Sequence, residues 1–187
     1  MNKPTKEELN ALRDECYKNA CDHGFHDVKL SERHFICLII SELMEAVEAD
    51  RKGRHADLVS FNSHTKRNWS YCFEIYIKDT VEDELADAAI RIFDLAGLTK
   101  DDIGLGVIDV FNRAEEADNF LDDYFYRNER FTESIYMIVD DIMTDGCCIT
   151  LFDLFLLADT MGFDLMEYIK LKMTYNRSRE RMHGKRY

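Results

Sequence analysis

The chain has 187 residues, 46% of them apolar, which is enough for a single domain over residues 1–187 with a sizeable core. Its net charge of −13 excludes non-specific nucleic-acid binding and docking to anionic membranes. It does not exclude an anionic small substrate, provided that a metal ion and local basic residues meet it.

One proline and eight glycines interrupt the chain, and apolar residues recur at helical spacing, so the expected class is all-α. Residues 5–23 form the first predicted helix. Thr5 and Glu8 make a capping-box pattern, and Gly24 supplies the stop. His23 and His26 read as loop residues rather than ligands.

Residues 31–52 form the second helix, closed by Gly53, with a core face through Phe35, Ile36, Ile39, Ile40, Leu43 and Val47. Glu42 breaks the pattern. Its neighbours on the same face are Phe35, Leu38, Ile39, Ala46 and Ala49, with Glu45 the only acid. A carboxylate there is partly desolvated and needs a cation or donors. Metal ligation is one solution, and a salt bridge to an arginine is the other. Glu48 reads as a solvated flank.

Residues 54–70 are polar and without a period, carrying Arg54, His55, His64, Lys66, Arg67 and Trp69. They are expected to form a mobile loop, either covering a bound nucleotide or decorating the surface. Residues 71–78 add a helical turn or two.

Residues 80–97 form the helix around which the rest is organised. Thr80 is its predicted N-cap, Asp83 lies in the first turn, and Gly97 stands just past the end. At about 100° per residue, Val81, Leu85, Ala88, Ala89, Ile92, Phe93, Leu95 and Ala96 cover a wide apolar sector. Asp83, Glu84, Asp87, Arg91 and Asp94 crowd into the remainder, with Glu84 and Asp87 one turn apart. The alanines leave room for a neighbouring helix.

The chain then turns through Thr99, Asp101 and Gly106. Further helices are predicted over 107–126, with Phe111, Ala114, Phe120, Leu121 and Tyr124 at helical spacing, and over 132–144 and 150–161. Asp140 and Asp141 read as solvated. The last helix starts near Asp164 and runs into the tail. Its apolar stripe of Leu165, Tyr168 and Ile169 continues as Lys172, Asn176, Arg179 and His183, which share about one-sixth of the wheel. Such a face leaves the core to line a cleft. The surrounding basic residues indicate a local anion partner or, alternatively, a frayed tail.

Six cysteines occur without a CxxC, and Cys147 and Cys148 are adjacent, a poor framework for disulfides or zinc. No signal peptide opens the chain, and no apolar run is long enough to span a bilayer, so a cytoplasmic location is expected.

Two patterns carry chemistry: Glu42-x-x-Glu45 and Glu84-x-x-Asp87. Each puts two carboxylates on one helical face. If the two helices pack antiparallel, roughly 8–10 Å apart, all four converge. Four carboxylates cannot share a site without a cation, and hard oxygen ligands select Mg²⁺ or Mn²⁺ over zinc. Mg²⁺ binds substrate phosphates as well as carboxylates, so a pyrophosphate-bearing ligand would complete the coordination. Its far end would lie on the Lys172/Asn176/Arg179 stripe.

Three pieces, Ser41-Glu42-Leu43-Met44-Glu45-Ala46, Val81–Asp87 running on through Arg91 and Asp94, and Lys172-x-x-x-Asn176-x-x-Arg179, together resemble the MazG-like all-α nucleoside triphosphate pyrophosphohydrolases. Those are related to the dimeric dUTPases and to phosphoribosyl-ATP pyrophosphatase. The resemblance implies that Glu42, Glu45, Glu84 and Asp87 hold Mg²⁺, with Mn²⁺ as a substitute, and that Lys172, Asn176 and Arg179 contact phosphates. It implies hydrolysis of an NTP or dNTP at the α-phosphate to NMP and pyrophosphate, with Glu45 or Glu42 taking or orienting the proton of the attacking water. It also implies a homodimer or larger homo-oligomer. The segment between Glu45 and Glu84 is longer than usual in the family, and residues 98–160 align with no family counterpart. Base and sugar are unspecified, although Trp69, Phe73 and His34 are candidate ring contacts.

Two other readings compete. One is a non-catalytic helical nucleotide-binding or oligomerisation module on the same fold. The other is a carboxylate-bridged di-iron bundle, which needs Glu-x-x-His from two helices, whereas the chain offers Glu180-x-x-His183.

Overall fold

The computed structural model describes residues 3–66, 68–116 and 130–184, and there the chain is all-α, with nine α-helices and no strand among those residues. Helix α1 (Lys6–Asp22) starts on the predicted capping box: Thr5 Oγ1 accepts from the Glu8 N–H at 3.1 Å, and the Glu8 carboxylate accepts from the Thr5 N–H at 2.8 Å. Gly24, at φ +82°, turns the chain at its end. Helix α2 (Glu32–Arg51) follows, then α5 (Val81–Thr99) after two short helices described below. Helix α5 is the central element, with α2, α1 and the last two helices packed against it. Leu85, Ala86, Ala88, Ala89, Ile92 and Phe93 are fully buried on it. The small side chains allow close approach on several sides at once.

On α2 the buried stripe runs through Phe35, Ile39, Glu42, Leu43, Ala46 and Ala49. Ile36, Ile40 and Val47, expected in the core, are half-buried at its edge. The core face is therefore rotated towards Glu42.

Residues 54–70 are not one loop. They contain α3 (Leu58–His64) and the start of α4 (Trp69–Tyr76). Side chains cap both: Asp57 accepts from the Ser60 N–H and Asn68 from the Tyr71 N–H. Phe61 stands edge-on to Trp69, which stacks on Phe73, anchoring the pair to the core. Arg67 lies outside the described residues.

Two glycines predicted as breaks lie inside helices instead. A Cβ on Gly97 would sit 2.5 Å from Tyr17 Cβ, so this glycine is a close-approach point between α5 and α1. Helix α5 runs on to Thr99 and ends at Lys100, which is left-handed at φ 64°. Gly106 lies within α6 (Ile103–Glu116), where a Cβ would collide with Cys148 Sγ. Phe111 and Ala114 are buried as expected, whereas Phe120, Leu121 and Tyr124 lie outside the described residues.

Helix α7 (Phe131–Thr144) buries Ile135, Ile138 and Ile142, and α8 (Cys147–Met161) begins earlier than its predicted start at Thr150. Asp140 is exposed, but Asp141 is half-buried, hydrogen-bonded to the buried Asp153, and its carboxyl is pushed up by burial. The last helix, α9 (Leu165–Asn176), stops short of the predicted run into the tail. The chain folds back instead. The Met182 N–H donates to the His23 carbonyl at 2.9 Å, Arg181 pairs with Asp27, and Arg177 pairs with Glu15. A short 3₁₀ turn (Arg181–Gly184) ends the described residues. No helix among them is long and apolar enough to cross a membrane.

Candidate metal centre and adjoining cleft

Helices α2 and α5 run antiparallel. The Val81 N–H donates to the Arg54 carbonyl at 3.1 Å just past the end of α2, Glu42 in mid-helix pairs with Arg91, and Phe35 near the start of α2 stacks on His26, whose ring meets Asp94. This brings Glu42, Glu84 and Asp87 together, each offering one oxygen, with those oxygens all within 4.8 Å of one another. Glu42 is 3% exposed because it lies among the buried Phe35, Ile39, Ala46 and Ala49. Glu84 is also buried, and Asp87 is half-buried. Glu45 is not one of the convergent three. It is exposed, and with Glu48, Lys52, Arg54, Asp79 and Glu84 it lines an open groove beside them.

An acid that the sequence reading left among the polar remainder is central here. Asp83 is 1% exposed, and its Oδ2 accepts from Lys172 Nζ at 2.7 Å and from the Asp79 N–H at 3.0 Å. Lys172 Nζ also lies 2.8 Å from Asp87 Oδ2 and 5.8 Å from the centroid of the Phe73 ring. Lys172, expected on substrate phosphates, is buried against these two carboxylates. The signal for this was present, since a lysine continuing an apolar stripe implies a buried acid partner. Arg91 donates its Nε–H to Glu42 Oε1, so the arginine alternative for Glu42 is realised too. A carboxylate has two oxygens, and the pair does not preclude metal ligation.

The electrostatics leave this cluster short of positive charge. Glu84 receives no hydrogen bond among the described residues; burial, then Asp87, push its pKa up to about 8, with Lys172 opposing. Burial likewise raises Asp83 to about 6, with Lys172 opposing and Asp87 adding. Burial alone would lower the pKa of Lys172, but Asp87 and Asp83 outweigh it and hold the ammonium charged. The four acids Glu42, Asp83, Glu84 and Asp87 face two contacting cations, Lys172 and Arg91. Fully ionised, they carry a surplus of two negative charges, which matches one divalent ion. An all-oxygen donor set fits Mg²⁺ or Mn²⁺.

A partly open cleft lies beside Asp87. Helices α1, α2 and α5 wall it, and Phe25, Leu30, Asn176 and Arg179 complete it. Asn176 is 4% exposed, and its Oδ1 accepts no hydrogen bond among the described residues. Arg179 stands past the end of α9, its guanidinium 5.9 Å from the Tyr175 ring centroid. The His183 side chain lies outside the described residues. Of the candidate ring contacts, His34 lines the cleft, whereas Phe73 is fully buried between Trp69 and Tyr175. His26 bonds Asp94 at 2.7 Å, and the His23 ring meets the Asn19 and Arg179 carbonyls. Comparison of the chain with protein-family models, curated proteins and solved structures finds no match.

Proposed function

We propose that this chain is a Mg²⁺-dependent nucleoside triphosphate pyrophosphohydrolase, cleaving an NTP or dNTP to NMP and pyrophosphate. The observation that carries the reading is the convergence of Glu42, Glu84 and Asp87 around a buried Glu84 that no hydrogen bond relieves. These three residues would hold the ion, which supplies Lewis-acid polarisation of phosphoryl oxygens. Glu45, exposed one turn beyond Glu42 and bordering the groove with Glu84, takes the proton of the attacking water. The water oxygen bonds to the α-phosphorus, the bond to the bridging oxygen breaks, and pyrophosphate leaves. Arg179 on the cleft side, with Lys52 and Arg54 on the groove side, flank the carboxylates as cations for the phosphates. Lys172 acts one step back, holding Asp83 and Asp87 in place. The homo-oligomer and the cytoplasmic setting belong to the same reading.

The test is a panel of canonical and damaged NTPs and dNTPs with Mg²⁺, scored for monophosphate and pyrophosphate. Glu42→Gln is expected to keep the helical circular dichroism signal and to abolish pyrophosphate release. Undiminished turnover in that variant sinks the assignment. The ion pairs of Lys172 and Arg91 favour one competing reading, a non-catalytic module in which the acids form a structural network. Such a module would release no pyrophosphate and would gain no thermal stability from Mg²⁺.

A further inference from the structure

We infer that the cleft beside the carboxylates seats the nucleoside part of the substrate, and that Asn176 Oδ1 accepts a hydrogen bond from a donor on it. The inference rests on the proposed function for its ligand class. The cleft is a partly open concavity between α1, α2 and α5 that Asn176 and Arg179 close on one side. Phe25, Leu30, Phe35, Leu38 and Ile90 give it apolar walls suited to a flat ring, beside the charged Arg91, Asp94 and Arg179. Asp87 belongs both to the cleft and to the carboxylate cluster, so a ring held here lies next to phosphates held there.

Asn176 supplies the specific element. A buried amide oxygen without a partner is costly, and a ligand donor would remove that cost. The oxygen itself cannot serve a phosphate, because both are acceptors. The partner of Oδ1 is therefore an O–H or N–H of the sugar or base, a contact additional to any that the amide N–H groups make to phosphate. Specificity follows: a nucleoside lacking that donor leaves the acceptor buried and unmet.

The test needs neither metal nor turnover. The full chain, in chelator, is titrated by amide NMR with adenosine, guanosine, cytidine, uridine, thymidine and the other 2′-deoxynucleosides. At least one is expected to shift Phe35, Leu38, Ile90 and Asn176 saturably. Asn176→Leu is expected to weaken that nucleoside about tenfold, near 1.4 kcal/mol. Leu38→Trp, at a half-buried wall position, is expected to abolish its binding while Mn²⁺ still binds at the carboxylates. The inference is overturned if no nucleoside binds at about 10 mM, if the shifts fall outside the cleft, or if folded Asn176→Leu binds unchanged. Failure here with pyrophosphate release intact removes only the cleft assignment. Nucleoside binding with no pyrophosphate release under any NTP removes only the hydrolase reading.

Discussion

Glu84 holds a proton in the folded chain at pH values where the unfolded chain has released it. Its pKa of about 8 lies above the ordinary value of 4.5, so its stabilising contribution is present at low pH and is lost as pH rises towards 8. Asp83, at about 6, acts in the same direction over a lower window. Thermal melts in chelator should therefore show Tm falling between about pH 5.5 and about pH 8.5. Glu84→Gln should flatten that fall and lose the gain in Tm given by Mg²⁺. A wild-type Tm that rises steadily over the interval contradicts this account. Lys172 is the complementary residue. Lys172→Met leaves Asp83 buried without its cation and should cost about 3–5 kcal/mol in urea unfolding. Asp83→Asn/Lys172→Met, which removes both charges, should recover most of the loss. The burial of Glu42 was legible because its apolar neighbours lie within two turns. The apolar stripe signalled that Lys172 needs a buried acid, but not that the acid is Asp83, because the two are 89 residues apart and no local pattern joins them.

At the scale of elements, local signals predicted what local chemistry decides. Thr5 with Glu8 and Thr80 with Asp83 start α1 and α5 where the capping patterns place them. Helix α3 and the start of α4 were missed, because so few turns show no period, whereas the helical turn or two expected over 71–78 is the body of α4. Their stability comes from the Asp57 and Asn68 caps and from the Phe61–Trp69–Phe73 ring contacts. Gly97 and Gly106 were misread because a glycine that lets another helix come close looks, in sequence, like one that ends a helix. Gly97→Ala separates the two roles. In an ordinary helix interior alanine is favoured by up to about 1 kcal/mol. Here the new Cβ meets Tyr17 and should destabilise by about 1–3 kcal/mol. Tyr17→Gly in the same background, which removes the Cβ as well as the ring, should relieve the clash. A Gly97→Ala protein as stable as wild type would show that α1 can move away without loss.

For the whole molecule, the net charge of −13 means that any added salt relieves general repulsion, and that effect must be separated from a specific ion. Diffuse screening depends on ionic strength, so K⁺ and Mg²⁺ solutions matched for it act alike. A site built from Glu42, Glu84 and Asp87 instead responds to the divalent ion itself, by RT ln(1 + [L]/Kd). At 100-fold excess over Kd that is about 2.7 kcal/mol, which moves the Tm of a chain this size by several degrees. Calorimetry near pH 8 should accordingly show Mg²⁺ or Mn²⁺ raising Tm by several degrees beyond ionic-strength-matched KCl. The excess should disappear in Glu84→Gln and persist in Glu48→Gln, whose carboxylate pairs with Arg51 and Lys52 on the exposed flank of α2. Equal effects of K⁺ and Mg²⁺ would mean that Lys172 and Arg91 already satisfy the cluster, and that the acids bind no ion of their own.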